Sequence, residues 1–476
     1  MSLTNVSYSM IKGAVFNVLD FMPSGHVTAT TDCAPYIQAA VDAQNGFSGI
    51  YFPAGEYLIA STITFVYDRY MVYGDGVASR INFMPSANDD CFLFDKADAT
   101  PSVQNTVRDL AFFSWDTTYD KRAITVVDIS ENVIDNIQTI YPHWSGGSNY
   151  STFLWIQGRD LTSVRNLNVF ADVPIRISPI PAPHTAANIG IDHFHFSDCY
   201  LACMDATRSV VQIDSNTDVT YVTFDGFQAW IGGNNGLYWN DTENTGTSLG
   251  LTLRNIRWEQ QGGTTGYFVY IKHNQQLQQL TLDNLYGATS TNGFYFSKVN
   301  KINMKQILYV GTQIGISADA SSTFIDFNNV FINDPTATVS ILSEQNSGTY
   351  WVGGNAFTFL PNSTNGGLAQ SINPEPNNGY IRLAPITFTL ANTVVQKLCE
   401  DATYSTLIVN AGGVGASAMY QIRGTNNATV LISTSDAGIF GATVGAQTIN
   451  VYWDGAQYAI QNITGSSVTF SVVAIG

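Results

Sequence analysis

The sequence predicts an all-β fold: a right-handed parallel β-helix followed by a C-terminal β-sandwich. Three observations carry this reading. A short motif recurs with a period of one helical coil. The composition is rich in turn residues and poor in charge. The last stretch of chain drops the motif and changes to plain alternating strands.

The motif is an apolar residue, two polar residues and a second apolar residue. It appears as Val107-Arg-Asp-Leu110, Ile134-Asp-Asn-Ile137, Val164-Arg-Asn-Leu167, Phe196-Ser-Asp-Cys199, Phe224-Asp-Gly-Phe227, Leu253-Arg-Asn-Ile256 and Leu282-Asp-Asn-Leu285, with looser copies ending at Ile307 and Val330. Successive copies are 27, 30, 32, 28, 29, 29, 22 and 23 residues apart. Self-similarity at this period, built from short alternating strands, is the signature of a solenoid whose coils stack. The polar pair suits a turn, because Asn tolerates left-handed backbone angles. Asn or Asp side chains at equivalent turns could also bond along the stack.

Composition agrees. Only 12% of residues are charged, against 45% hydrophobic, with 40 Gly, 24 Tyr and 27 Phe. An ordinary soluble domain carries about twice that charged fraction. The net charge of −17 argues against a nucleic-acid partner, since most of the surface would repel a polyanion. The chain shows no apolar run long enough to span a membrane and no secretory signal at its start. The cysteines, Cys33, Cys91, Cys199, Cys203 and Cys399, are odd in number and irregular in spacing, so they read as reduced core residues. No dense Asp cluster suggests a metal, and no cofactor is expected.

In chain order, residues 1–20 read as a neck segment. Residues 21–335 read as the parallel β-helix with a capping helix at its start. There Asp32 caps a helix whose Ile37, Ala40 and Val41 face inward, and Pro53-Ala-Gly55 turns the chain into the first coil. Residues 336–379, with Pro361-Asn-Ser-Thr-Asn-Gly-Gly and Asn373-Pro-Glu-Pro, read as a linker. Residues 380–476 hold seven alternating segments and only seven charged residues, which suggests a β-sandwich serving either as an oligomer clamp or as a ligand-binding module. Tyr452, Trp453 and Tyr458 are its candidate stacking residues.

The segments Met10–Phe21, Thr30–Ala43 and Ile50–Ile59 together resemble the opening of pectate-lyase-like β-helices, above all bacteriophage tailspikes and capsular polysaccharide depolymerases. The family pattern is an NVxDFGA segment, a TDxxxxIQAA helix and a YFPAGxY strand. Tyr73-Gly-Asp-Gly76 is similar to the family's early G-x-G turn, whereas Met22-Pro-Ser-Gly-His26 departs from the usual Gly-Ala. The resemblance implies a homotrimer on a virion tail, partnered by phage tail proteins and acting at the bacterial surface on capsule, exopolysaccharide or O-antigen. It implies no single fixed triad. The family's virion-anchoring domain is not evident ahead of residue 10.

Aligning coils on the motif places side chains in outward columns about 4.8 Å apart. One column is His195, Thr223, Thr252. The next is Ser197, Asp225, Arg254, Asp283. Then come Tyr200, Gln228, Arg257, Tyr286, and last Ala202, Trp230, Glu259. Sugar rings stack their C–H faces on aromatic rings, and an acid protonates the leaving oxygen. Glu259 is therefore the first catalytic candidate, with apolar neighbours expected to keep it protonated. Glu243, Asp241 and Asp225 are candidates for the second carboxylate, the first two carried on a long loop 232–246. Trp230, Tyr200, Arg257, Tyr286, His195, Arg254 and Trp239 are candidate substrate-binding residues, and Trp258 is expected in the core. The expected function is a glycoside hydrolase that cuts a bacterial surface polysaccharide. The alternatives are a lyase, with His195 or Tyr200 as base and Arg257 neutralising a uronate, and a non-catalytic adhesin.

Overall fold

The computed structural model describes residues 15–475 apart from 45–47, 97–99, 116–117, 141–149, 185–189, 233, 245, 261–265, 289–291, 311–315, 319–322, 333–340, 344–350, 354–385, 401–405, 413, 424–427, 437, 444, 446 and 454–456. Most of the neck segment and of the 336–379 stretch lies outside these residues. Contacts divide the chain into two units, residues 1–281 with 288–291, and residues 282–287 with 292–476.

The first unit is a parallel β-helix closed at its start by the helix Ala34–Asp42, with Ile37, Ala40 and Val41 buried as the 3.6-residue period requires. Asp32 accepts from the backbone N–H of Ala34 and of Ala60, so one carboxylate caps the helix and ties it to the first coil. Pro53 and Ala54 turn the chain between the strands Gly49–Phe52 and Gly55–Ile59. Asp75 holds that turn by accepting from Ala54 N and the Tyr51 hydroxyl.

Each coil past residue 105 lays strands on three sheets. The motif spans the first two, and the spacings read from the sequence are the registers observed. Val107 pairs with Ile134 and Ile134 with Val164. Leu110, Ile137 and Leu167 follow on the next sheet. Phe196 pairs with Phe224 and Phe224 with Leu253. The corner between these sheets is one left-handed residue, repeated coil after coil: Asp109 (φ 58°), Asn136 (51°), Asn166 (54°), Asp198 (54°), Gly226 (69°) and Asn255 (54°). The same conformation recurs in the second unit at Asn284 and Gln306. The side chains bond along the stack. Asn136 donates to Asp109 at 2.6 Å, Asn166 to Asp135 at 2.8 Å, and Asn255 to Asp225 at 2.8 Å.

Alternation then sends one residue in and the next out. The interior is a stack of rings and branched chains. Phe65 lies on Phe94 at 4.3 Å and Phe196 on Phe224 at 4.5 Å, nearly parallel in both cases. Each such pair adds about 0.5–1.5 kcal/mol beyond area burial. Four of the cysteines, Cys33, Cys91, Cys199 and Cys203, are free and buried, and burial pushes the thiols of Cys33, Cys199 and Cys203 up to about 12. Cys399 is outside the described side chains.

Residues 232–246 are not one long loop, contrary to the sequence expectation. Asn235–Asn240 is a strand of the third sheet, pairing with Ser209–Ile213 and with Tyr267–Leu277. Trp239 is fully buried by the alternation of that strand.

In the second unit the strand Asn292–Val310 pairs in parallel with Ile316–Ala318 and Thr323–Ile332. These in turn pair with Ile341–Ser343 and Trp351–Gly353, so parallel stacking continues to residue 353. The C-terminal sandwich has a five-stranded sheet and a four-stranded sheet. All seven segments read from the sequence are strands, joined by Val395–Glu400 and the short Phe440–Gly441. Leu407, Val409, Tyr420, Val451, Ile460 and Phe470 fill the core. Tyr458 is part of that core rather than a surface stacking residue, and Trp453 packs edge-on against it at 4.9 Å.

Candidate functional site

All four columns derived from the sequence are observed register within the first unit. His195 pairs with Thr223 and Thr223 with Thr252. Tyr200 pairs with Gln228 and Gln228 with Arg257. Ala202 pairs with Trp230 and Trp230 with Glu259. Ser197, Asp225 and Arg254 share the remaining column. Tyr286 and Asp283 belong to the second unit, where Tyr286 is half-buried on the strand Leu280–Ala288.

The second sheet therefore presents Tyr200, Trp230, Gln228, Arg257 and Glu259 on neighbouring coils. Phe170, buried on the coil before, backs Tyr200 with ring centroids 5.6 Å apart. Arg257 and Glu259 point the same way on one strand and form a salt bridge, with side chains 57% and 35% exposed. Glu259 thus faces a cation and Tyr200 rather than the apolar walls expected of it. Burial pushes the Tyr200 hydroxyl above its usual range, and the charge of Glu259 adds to this. A hydroxyl so held keeps its proton at neutral pH, which disfavours Tyr200 as a lyase base.

The other carboxylates have structural duties. Asp241 is 1% exposed and accepts from the backbone N–H of Asn216, Glu243, Asn244 and Asn274, and from the Ser215 hydroxyl. Burial alone would raise its carboxyl, but these donors together hold it below the usual range. It organises a turn and is not available to substrate. Glu243 is exposed in that same turn, which joins the third sheet to the first, so it does not share the face of Glu259. Asp225 bonds Arg254 at 2.8 Å and Asn255 at 2.8 Å. Burial pulls its carboxyl up, but Asn255, Arg254 and the nearby His195 outweigh it and hold the group ionised. It is one rung of a ladder in which Arg165 also bonds Asp135 at 2.9 Å.

His195 is exposed beside Asp225, and His193 is paired with Asp192 at 2.6 Å. Trp239, expected to bind substrate, is core and stands edge-on to His273 at 4.9 Å. Trp258 is core as expected. Among the described residues no group of three His, Cys, Asp or Glu side chains is placed to hold a metal, and no helix is long and apolar enough to cross a membrane.

One outward group escaped the sequence reading. Trp155, Arg122 and Arg176 cluster on the third sheet, whose strands carry no motif. Aligning that strand as well as the first two would have found them.

No family model and no curated protein matches the chain. Solved structures do. The tailspike of Escherichia coli bacteriophage HK620, in complex with a pentasaccharide, is 10% identical, covering 96% of this chain and 93% of that one, with a TM-score of 0.46. The tailspike gp49 of Acinetobacter baumannii bacteriophage Fri1, a capsular polysaccharide depolymerase, is 11% identical, with 97% and 86% covered and a TM-score of 0.41. The catalytic domain of a GH87 alpha-1,3-glucanase in complex with nigerose is 16% identical, with 69% and 62% covered and a TM-score of 0.42. The chemistry of the site is read from its own residues.

Proposed function

We propose that the chain binds a bacterial surface polysaccharide on the second sheet of its β-helix and hydrolyses glycosidic bonds there, as a tailspike depolymerase. The observation that supports this is the grouping of Tyr200, Trp230, Gln228, Arg257 and Glu259 on adjacent coils of one face. Trp230 and Tyr200 offer rings to sugar C–H faces, and Gln228 and Arg257 offer donors to hydroxyls. Glu259, paired with Arg257, is the carboxylate on this face positioned to take a proton from water or to attack the anomeric carbon. Tyr200 retains its proton beside it and offers a hydroxyl donor to the bound sugar. The test is mass analysis of products from purified capsules and O-antigens, with Glu259→Gln as control. New reducing ends from the wild type and none from the variant support the reading. Unsaturated products from both would refute it.

A binding-only adhesin is the second reading. It is favoured by the structural engagement of Asp241 and Asp225 and the remoteness of Glu243, which leave one nominated carboxylate on the face. It predicts retention of the polysaccharide with no cleavage by the wild type.

We infer further that the chain acts as a homotrimer on a phage tail. Met419, Val430 and Ile432 are exposed on the outer face of two paired strands of a charge-poor sandwich. Val430→Glu with Ile432→Glu is expected to lower the native mass from trimer to monomer; an unchanged mass excludes this face as the clamp.

A further inference from the structure

The third sheet carries an outward column that the proposed cleavage does not use. In register from coil to coil it reads Thr125, Trp155, Arg176, Gln212, Tyr238 and Tyr270. At an interstrand spacing of about 4.8 Å it extends about 24 Å along the stack. Trp155 is held between two guanidinium groups, Arg122 from the coil before at 5.1 Å and Arg176 from the coil after at 4.6 Å. Its indole N–H donates to the Ser178 hydroxyl at 2.7 Å. Tyr238 and Tyr270 stack at 5.1 Å, and Tyr267 joins them at 5.6 Å from Tyr270.

Each cation in the column has its own anion. Arg122 bonds Asp90, with contacts of 2.6 and 3.0 Å. Arg176 donates to Asp214 at 2.8 Å, and Gln212 donates to the other oxygen of the same carboxylate at 2.9 Å. The strip is therefore uncharged overall, yet full of planar polar groups at fixed spacing. Stacking and salt bridging pin both arginines before any ligand arrives, so little side-chain entropy remains to be lost on binding. Half-buried rings alternating with pinned amide, guanidinium and carboxylate groups match a chain of hydroxylated rings. The rings take C–H faces, and the polar groups take neighbouring hydroxyls. A protein interface also favours Trp, Tyr and Arg but is depleted of Asp, and here Asp90 and Asp214 sit within the strip. A polyanion would meet Asp90 and Asp214 as well as the −17 charge of the whole chain.

We propose that this strip is a second saccharide-binding surface, separate from Glu259, for an uncharged stretch of polysaccharide running along the helix axis. The ligand class rests on the saccharide reading given above. It makes the solenoid a two-faced binder, one sheet for the bond being cut and the neighbouring sheet for holding the polymer.

The test uses the full chain carrying Glu259→Gln on an array of purified bacterial capsular and O-antigen polysaccharides. Trp155→Ala and Tyr238→Ala are added singly, with thermal unfolding and native mass measured for each. The expected result is retention of a neutral polysaccharide by the Glu259→Gln protein, insensitive to salt, and weakened about tenfold or more by either added substitution at unchanged mass. Because the two substitutions lie on different coils, local damage at one does not mimic the other. Equal retention by both variants overturns the strip while leaving the proposed function standing. Retention only of acidic polysaccharides, falling with salt, also overturns it. A drop in native mass on either substitution would show that the strip faces a second copy of the chain. No retained polysaccharide at all would remove both readings.

Discussion

Replacing Asn166 tests whether the left-handed corner is what makes the coils repeat. Asn166 has φ 54°, and its side chain donates to Asp135 at 2.8 Å from an exposed position. Asparagine offsets the strain of its Cβ in the left-handed region by local hydrogen bonding; alanine keeps the Cβ and loses that offset as well as the bond, which exposes a strain of about 1–2 kcal/mol. The exposed bond itself contributes about 0.5–1 kcal/mol, so Asn166→Ala is expected to cost about 2 kcal/mol. Glycine loses the same bond but carries no Cβ strain. Its greater freedom in the unfolded chain costs about 0.5–1 kcal/mol, so Asn166→Gly should cost about 1.5 kcal/mol. Alanine should thus be worse than glycine, the reverse of their order inside a helix or strand. The assay is the guanidinium chloride midpoint at unchanged slope, or the unfolding rate where refolding is incomplete. Asn255→Ala, three coils away at about 14 Å, should add its loss independently. If Asn166→Ala is as stable as Asn166→Gly, the corner is set by packing of the flanking strands and the backbone argument is wrong.

Four further outcomes are expected. Trp230→Ala should weaken saccharide binding about tenfold and lower cleavage with little change in melting temperature, whereas Trp239→Ala should cost about 3–5 kcal/mol and leave binding by the folded fraction intact. Asp241→Asn should cost about 2 kcal/mol or more near neutral pH, because four backbone donors lose a charged acceptor. Its folded carboxyl lies below the usual range, so the stability it contributes is present above about pH 4 and is lost on acidification; the gap between wild type and variant, followed by melting temperature against pH, should close as the pH falls. Arg254→Ala should cost no more than about 1 kcal/mol, since its pair with Asp225 is exposed, and should leave cleavage unchanged; lost cleavage would restore Asp225 to the active site. Iodoacetamide near pH 8 should leave Cys33, Cys91, Cys199 and Cys203 unmodified in the folded protein and react with them after denaturation; rapid native labelling of any of them would contradict the burial.

What the sequence revealed and what it hid have one physical source, which is distance along the chain. The repeat was readable because its cause is local. One left-handed residue between two short strands dictates a corner, and Asn at that corner donates to an Asp one coil away. Counting residues from Leu110 to Ile137 to Leu167 therefore gave the register, and the register gave the columns of Tyr200, Trp230 and Glu259. The errors fall where the deciding contacts come from other coils. Asp241 reads as a loop acid, because its donors Asn216 and Asn274 lie 25 and 33 residues away. Gly232-Gly-Asn-Asn-Gly236 reads as a long loop because Gly and Asn dominate it, yet the chain is already in a strand at Asn235, where Leu237 and Trp239 point in and Tyr238 points out. That alternation was present in the letters and was masked by the turn residues before it. The third sheet was missed for the complementary reason: its strands lack the polar corner pair, so nothing in the sequence marks where each coil's copy begins. Only the stacked pairing aligns Trp155 with Arg176 and Tyr238 with Tyr270. A parallel solenoid thus announces its turns and conceals its faces. The face with the least repetitive sequence is free to vary for a ligand without disturbing the corner on which the stack depends.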